Sequence, residues 1–186
     1  MIGLVVLAAG AGSRFGGPKQ LHPIRGRPML EHVLAAVAAV AADDRVLVLG
    51  AHADQVLAGI DLQGVRAIRC DRWAEGQALT LRAGLDALPA GVTAAIVVLG
   101  DGPGLDPRAI ERMAAAHAAR PATVLYADYG EGRSHPVVLP RVTWDALASA
   151  GERPAASLAA EAVDCRDLPA PGDIDRPGDA AELSIA

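Results

Sequence analysis

The fold of this chain is decided by the stretch "IGLVVLAAGAGSRFGGPKQL" at residues 2 to 21. Residues 2 to 8 contain no polar side chain, which predicts a β-strand that is covered on both faces of a sheet. Four glycines and one proline follow between residues 10 and 18, so the strand must end in a loop. After this loop comes Lys19, the only lysine among 17 basic residues. A buried strand that leads directly into such a loop is typical of a parallel α/β sheet.

Short β-branched runs alternate with alanine-rich helical stretches along the rest of the chain. The pattern predicts strands at 2–8, 45–50, 65–70, 94–104 (with its loop), 122–127 and 135–140, and helices at 28–40, 53–60, 75–88, 106–119, 143–149 and 155–163. Asp106 is the predicted N-cap of the helix at 106–119, with Pro107 in its first position. We therefore expect one α/β domain over residues 1–186, with a doubly wound, mainly parallel sheet and helices on both faces.

Composition excludes several classes of function. The 186 residues are 52% hydrophobic and carry a net charge of −5 without a basic stripe, which argues against nucleic acid as a partner. Every long apolar run is interrupted by charge or glycine, and the N-terminus lacks a basic region, so we expect no membrane span and a cytoplasmic protein. Cys70 and Cys165 lack metal-ligand spacing and are expected to be free thiols, with a single disulfide as the alternative.

The glycine loop at 10–17 has the chemistry of an anion site. Backbone N–H groups without side chains around them can point into a concavity and bind phosphate. Arg14 and Lys19 add two cations at the same rim. A second loop at 100–104 also follows a strand, so both loops should lie at the edge where ligands bind in parallel sheets. The spacing matches neither a dinucleotide fingerprint nor a Walker-type loop, and a tight strand–helix turn without a ligand is the alternative.

Four motifs follow one another along the chain. The stretch "LAAGAGSRFGGPKQL" (7–21) matches the pattern L-A-A-G-x-G-x-R-[FM]-G-x-x-K-x-L throughout. It is followed by "EGQALTLRAGL" (75–85), "GDGPGLDP" (100–107) and "DIDRPGDAAEL" (173–183). This set resembles the MobA-like nucleotidyltransferases, most closely the branch of molybdenum cofactor cytidylyltransferases. The resemblance extends over nearly the whole chain and implies the Rossmann-like fold of that family.

The resemblance implies a nucleotide site built on the glycine loop. The residues implied to bind the nucleotide are Ala8, Ala9, Gly10, Gly12, Arg14, Lys19, Gly76, Gln77 and Arg82. Arg14, Lys19 and Asp101 are implied as catalytic, since the charge that develops when pyrophosphate leaves needs cations aimed at it. The family pairs L-A-A-G with cytidine transfer and L-A-G-G with guanosine transfer, so Ala9 favours CTP.

The resemblance also implies a Mg²⁺ site. Asp101 follows an apolar strand, where such enzymes hold the ion, and Asp175 of the "DIDRP" motif is the favoured second ligand. Strand alternation would point the neighbouring Asp173 to the opposite face. Each aspartate also has a simpler interpretation, as a turn or helix-entry residue.

Pro103, Gly104 and His135 lie where the family contacts the acceptor, although a histidine before a strand is equally often structural. The chain departs from the family at "GERPAAS" (151–157), where Ala156 takes the position of an arginine. That difference bears on the acceptor rather than on the nucleotide.

The predicted function is Mg²⁺-dependent transfer of CMP from CTP to a molybdopterin-type phosphorylated acceptor, with release of pyrophosphate. A molybdenum hydroxylase is the protein partner that this function implies. Three alternatives stay open: transfer to another phosphorylated small molecule such as a sugar phosphate, an NAD(P)H-dependent oxidoreductase of the nicotine-blue reductase type, and a non-catalytic cofactor chaperone.

Overall fold

The computed structural model describes residues 1–147, 158–176 and 178–179. The strands are β1 (Ile2–Ala8), β2 (Pro23–Ile24), β3 (Arg27–Pro28), β4 (Asp44–Leu49), β5 (Arg66–Arg69), β6 (Ala94–Leu99), β7 (Val124–Asp128), β8 (Arg133–Pro140) and β9 (Ala160–Asp164). The α-helices are α1 (Met29–Ala38), α2 (Ala53–Gly59), α3 (Gln77–Asp86), α4 (Pro107–Ala119) and α5 (Trp144–Leu147). Short 3₁₀ turns cover Lys19–Leu21, Trp73–Glu75 and Arg141–Thr143.

Seven strands form one sheet in the order β5-β4-β1-β6-β8-β7-β9. The pairs of β1 with β4, β1 with β6, β4 with β5 and β7 with β9 are parallel. Only β8 runs antiparallel, to both β6 and β7. The predicted mainly parallel sheet is therefore confirmed, with one reversed strand inside it.

The strand β1 is apolar throughout because both of its faces are covered. Leu4 and Val6 pack on one face with α1, α2 and α4, whereas Val5 and Leu7 pack on the other with α3 and α5. The alternation of side chains along a strand thus feeds two separate cores. This arrangement confirms the expected helices on both faces.

Helix α3 packs unusually close to the sheet at Gly84. A Cβ atom at this position would lie 2.5 Å from Cγ1 of Val5 and 2.9 Å from Cγ2 of Val48. Both neighbours are β-branched, so they have few alternative rotamers in a filled core. Glycine is required here by the close approach of the helix and not by backbone conformation.

The predicted helix near 155–163 is wrong. Residues 160–164 instead form β9, which pairs in parallel with β7 from Val124↔Ala160 to Asp128↔Asp164. Alanine and glutamate in "AEAVD" favour a helix locally, but the free edge of β7 offers a ladder of backbone hydrogen bonds that overrides this propensity. The start of that predicted helix, like the end of the one at 143–149, lies outside the described residues.

Three local features can be compared with the prediction. Helix α1 begins at Met29 and not at Pro28, because Pro28 belongs to a small β2–β3 hairpin that the sequence pattern did not reveal. The predicted cap of α4 is confirmed: Asp106 accepts a hydrogen bond of 2.9 Å from the backbone N–H of Arg108. Cys70 and Cys165 are both free and buried, as expected.

Within the part of the chain that the structure describes, no helix combines the length and the apolar character needed to cross a bilayer.

Replacing Gly84 with valine should destabilise the protein by about 3 kcal/mol, the upper end of overpacking costs, because the new side chain overlaps Val5 and Val48. Urea denaturation would measure the change. Gly17→Val is the matched control, since a Cβ there meets nothing within 4 Å. Equal stability of the two variants would show that α3 can move away from the sheet at little cost.

Candidate active site

The site begins where β1 and β6 end, side by side. The two strands pair in parallel with Leu7 opposite Leu99, so the loops that follow them leave from the same edge of the sheet. The backbone N–H of Gly100 donates to the carbonyl of Leu7 at 2.9 Å. A Cβ atom on Gly100 would lie 2.7 Å from that of Ala8, so glycine permits the contact between the loops.

The glycine loop folds back on itself around Gly12. Its carbonyl accepts hydrogen bonds from the N–H groups of Phe15 (2.9 Å) and Gly16 (3.0 Å). Gly12 has a φ of +60°, and a Cβ there would lie 2.2 Å from the carbonyl oxygen of Gly17. Both the backbone angle and the lack of space for a Cβ atom require glycine at position 12, so the chain can form a tight turn here.

Gln20 holds the start of this loop in place through two hydrogen bonds. Its Nε2 donates to the carbonyl of Ala8 at 2.8 Å and to the carbonyl of Gly10 at 3.1 Å. The side chain is buried, with a relative exposure of 2%. The two bonds fix the backbone where the strand β1 passes into the loop. Sequence reasoning missed Gln20, although its place next to Lys19 in a buried turn was the available signal.

Lys19 connects the glycine loop to the acidic residues. Its Nζ donates to Asp101 Oδ2 at 2.8 Å, to the carbonyl of Ile174 at 2.9 Å and to Asp175 Oδ1 at 3.1 Å. Arg14 forms an ion pair with the other oxygen of Asp175. The predicted cations and carboxylates therefore meet in one cluster, although more than 80 residues separate Lys19 from Asp101.

Asp173 and Asp175 lie on one segment, residues 173–175, and Ile174 holds this acidic segment in place. This residue is 1% exposed and packs with Ile24 and Met29, and its N–H donates to the carbonyl of Asp101 at 3.1 Å. Asp179 accepts from the N–H of Asp175 at 3.0 Å. The site is thus tied to the β2–β3 hairpin as well as to the sheet.

Three carboxylates form a group that fits a divalent cation. Ligand atoms of Asp101, Asp173 and Asp175 all lie within 4.8 Å of one another. Asp101 Oδ1 is buried and has no hydrogen-bond partner among the described residues. A hard cation prefers such carboxylate oxygens, and the unpartnered oxygen is in the right place to ligate one.

The expectation that Asp173 points away from this group is wrong. It assumed strand alternation, but residues 171–175 form no strand, and Gly172 has a φ of +75° that redirects the chain. Sequence reasoning therefore counted one carboxylate too few.

Burial and neighbouring charges shift the pKa values of several side chains in this cluster. Burial alone would lower the pKa of Lys19, but the carboxylates of Asp101 and Asp175 outweigh it and hold the pKa above its ordinary value. The hydrogen bond from Lys19, with the charge of Arg14, lowers the pKa of Asp175. Burial and the nearby negative charges of Asp101 and Asp175 raise the pKa of Asp173. Asp173 therefore protonates more easily than Asp175.

In the described part of the chain, two cavities lie at this site. The larger one, of about 540 Å³, adjoins the cluster between β6, β8 and α3. Its polar lining consists of Gln77, Arg133, Ser134, His135 and Asp173. Burial lowers the pKa of His135 to about 4, so its imidazole is neutral at physiological pH. The cavity thus combines an apolar wall with the neutral side chains of Gln77, Ser134 and His135 and the charged side chains of Arg133 and Asp173.

Most of the predicted site residues line these two cavities. The smaller one, of about 330 Å³, is lined in part by Ala8, Gly10, Gly12, Arg14, Lys19, Asp101 and Asp175. Gln77 and His135 line the larger one. Gly76 is the N-cap of α3, with a φ of +124°, and so sets the position of Gln77.

Besides Gly76, four predicted residues are absent from the lining of both cavities: Ala9, Arg82, Pro103 and Gly104. The carbonyl of Ala9 accepts a hydrogen bond from the N–H of Ala51, and neither cavity includes Ala9 in its lining. Arg82 is not brought to the site: its guanidinium pairs with Asp86 at 2.8 Å, one turn along the same helix, and with Asp145 at 3.6 Å.

Pro103 and Gly104 lie between the lining residues Gly102 and Leu105, and the N–H of Gly104 donates to the carbonyl of Pro171 at 2.9 Å. This bond ties the 100–104 loop to the chain just ahead of the acidic segment. Ala156 lies outside the described residues.

Replacing Gln20 with methionine should lower the free energy of unfolding by about 2 kcal/mol, because the carbonyls of Ala8 and Gly10 lose their donor inside the protein. Chemical denaturation would measure the loss. Gln55→Met, at an exposed position, is the matched control and should leave stability nearly unchanged. Similar stabilities for the two variants would contradict this role of Gln20.

Stability should depend on pH through His135. Because its pKa is lowered to about 4 in the folded protein and is about 6.5 in an unfolded chain, the unfolded state binds more protons as the pH falls below 6.5. Between pH 7 and pH 5, the protein should therefore lose roughly 1–2 kcal/mol that a His135→Asn variant retains. His52→Asn, at an exposed histidine, is the control. Parallel stability curves for all three proteins would contradict the prediction.

Comparison with known proteins places this geometry in a family. The model of the MobA-like NTP transferase domain matches residues 4–165. A nicotine blue oxidoreductase from Paenarthrobacter nicotinovorans is 35% identical over 153 residues, which cover 78% of this chain and 74% of that protein. The bifunctional protein GlmU from Kineococcus radiotolerans is 39% identical over 122 residues, or 62% of this chain. The chain spans about a quarter of the length of the GlmU proteins that it matches.

Solved structures agree over the whole length. Rv0371c from Mycobacterium tuberculosis H37Rv superposes with a TM-score of 0.86 at 28% identity, covering 100% of this chain and 97% of that one. A complex of Rv0371c with manganese gives a TM-score of 0.81 at 27% identity, covering 100% and 98%. With the matched family model and the sheet, loop and carboxylates described above, the chain belongs to the MobA-like family of nucleotidyltransferases.

Proposed function

We propose that this protein transfers CMP from CTP to a phosphorylated acceptor of the molybdopterin type, with a divalent metal ion and with release of pyrophosphate. The observation that carries the proposal is the cluster in which Lys19 and Arg14 meet Asp101 and Asp175 at the mouth of the glycine loop. Cations for the phosphates and carboxylates for a metal are the two things that nucleotidyl transfer requires at one point.

The glycine loop supports binding of the triphosphate. Gly10 and Gly12 line the smaller cavity together with the side chains of Arg14 and Lys19. Backbone N–H groups and two cations around one concavity form a site for several phosphate oxygens. The preference for CTP over GTP follows from Ala9, through the resemblance of "LAAG" to the cytidine branch of the family.

Asp101, Asp173 and Asp175 would hold the metal ion, since their ligand atoms already lie within 4.8 Å of one another. When bound, Mg²⁺ or Mn²⁺ neutralises charge on the phosphates and helps to orient them. We propose Mg²⁺ as the physiological ion, and the manganese complex of Rv0371c supports a divalent metal in this fold.

The chain's own residues then supply binding and charge. The attacking group is an oxygen of the acceptor phosphate, which is already ionised at neutral pH and needs no general base. As it forms a bond to the α-phosphorus and the bond to pyrophosphate breaks, Lys19 and Arg14 stabilise the charge that moves onto the leaving group. Lysine suits this position because its ammonium is a compact point charge that can turn among oxygens.

The larger cavity is the proposed acceptor side. It lies next to Asp173 and combines apolar residues such as Leu81 and Val97 with the neutral His135. Such a wall suits a flat heterocycle with a few hydrogen-bonding groups, which a pterin is. A molybdenum hydroxylase as the receiver of the product, and the cytoplasm as the location, complete this proposal.

A second candidate is an NAD(P)H-dependent oxidoreductase. It is favoured by the 35% identity to nicotine blue oxidoreductase over three quarters of that protein. The three carboxylates argue for the transferase, since hydride transfer from a nicotinamide has no use for a divalent metal beside phosphate-binding cations.

Thermal stabilisation separates the two candidates, because a ligand that binds only the folded state raises its stability. CTP with Mg²⁺ or Mn²⁺ should stabilise the protein, EDTA should abolish the effect, and NADPH should have none. Stabilisation by NADPH that is insensitive to EDTA would overturn the transferase proposal. Pyrophosphate release on addition of a sugar phosphate, but not of a pterin phosphate, would keep the transferase and replace the acceptor.

Asp101→Asn should remove the metal-dependent stabilisation by CTP and lower kcat/KM for pyrophosphate release at least about 100-fold, since the amide is a poorer ligand for a hard cation. Asp145→Asn is the matched control, because its side chain is fully exposed, at 100% relative accessibility. Near-wild-type turnover of Asp101→Asn would contradict the proposed metal site.

A further inference from the structure

Two of the three carboxylates of the proposed metal site, Asp101 and Asp175, already pair with the protein's own cations. Asp175 Oδ1 accepts from Lys19 Nζ at 3.1 Å, and Asp175 Oδ2 pairs with Arg14. Asp101 Oδ2 accepts from the same Nζ at 2.8 Å, whereas Asp101 Oδ1 has no partner among the described residues. Of the four oxygens on these two aspartates, three are therefore taken by side-chain cations.

Lys19 lies where a bound metal would repel it. A divalent ion of the size of Mg²⁺ sits about 2.0–2.1 Å from its ligand oxygens, and two of these oxygens lie 2.8 and 3.1 Å from Nζ. The side chain of Lys19 is only 12% exposed, so water screens the repulsion poorly. A metal ion on these oxygens and the Lys19 ammonium would therefore repel each other and compete for Asp101 and Asp175.

The formal charges of the cluster also disfavour a divalent ion in the absence of nucleotide. Arg14 and Lys19 contribute two positive charges against the three negative charges of Asp101, Asp173 and Asp175, so the cluster is nearly neutral as it stands. A divalent ion alone would make it positive. Polyphosphate brings several negative charges and offers the two cations new partners of equal or greater strength.

We infer that Lys19 and Arg14 hold the cation position in the nucleotide-free protein, and that the metal ion binds tightly only when nucleotide phosphates draw these two side chains away. The part of this inference that concerns the nucleotide rests on the proposed function. Because coupling between two ligands is reciprocal, each ligand then tightens the binding of the other. The same lysine weakens metal binding in the nucleotide-free protein and binds the phosphates once the nucleotide is present.

The first test measures binding of Mn²⁺ alone to the full chain, by the electron paramagnetic resonance signal of the free ion. The variant Lys19→Met keeps the length of the side chain and removes its charge. It should bind Mn²⁺ about tenfold more tightly than the wild type, within the roughly 5- to 150-fold range of site coupling. Arg82→Met is the matched control, since Arg82 pairs with Asp86 outside the site. Unchanged or weaker Mn²⁺ binding by Lys19→Met would overturn the inference.

The second test uses the wild type and needs no substitution. Because Lys19 is the only lysine, labelling with ¹⁵N-lysine gives one Nζ resonance from the chain. Millimolar Mg²⁺ alone should leave this resonance unchanged, and CTP with Mg²⁺ should shift it as Nζ leaves Asp101 and Asp175. A shift with Mg²⁺ alone, or no shift while CTP binds, would overturn the inference.

The two tests also distinguish this inference from the proposed function. If Lys19→Met tightens Mn²⁺ binding but CTP neither stabilises the protein nor shifts the Nζ resonance, the lysine still holds the cation position and the nucleotide proposal is wrong. If CTP binds with metal but the lysine variant gains no Mn²⁺ affinity, the function stands and the inference is wrong.

Discussion

The parallel pairing of β1 with β6 is the constraint on which the site depends. It sets Leu7 beside Leu99, so that the glycine loop and the 100–104 loop start at the same height on the same edge. Gly100 lets the two loops touch, and the reach of one lysine side chain then joins Lys19 to Asp101. A change in register by one residue would move the carboxylate and the ammonium apart and turn the strands' side chains to the wrong faces.

The identity of Lys19 follows from the geometry of its partners. Its Nζ donates three hydrogen bonds, to Asp101, to Asp175 and to the carbonyl of Ile174, all between 2.8 and 3.1 Å. These acceptors surround a single atom, which suits the three donors of an ammonium. The donors of a guanidinium lie in one plane on several atoms and cannot converge in this way. The only lysine of an arginine-rich chain thus stands where arginine would not fit.

Sequence patterns predicted best the features that depend on residues close together in the chain. A continuous apolar run identified β1, and clustered glycines identified the loop, because both follow from backbone chemistry. Arg14, Lys19, Asp101 and Asp175 were placed through their motifs, and the structure brings them together.

The failures have equally physical causes. Asp173 was misplaced because alternation holds only within strands, and β9 was missed because pairing along an edge outweighs the helical propensity of alanine. Gln20 gave no periodic signal, since its role depends on carbonyls that face it only in the folded loop.

The reversal of β8 has a further consequence. Because β8 runs antiparallel to β6, its first residues, Arg133 to His135, lie at the functional edge, and they form one wall of the larger cavity. Such a wall can diverge in sequence as a unit, and two proteins with the same glycine-loop half can thereby present quite different surfaces to a second molecule.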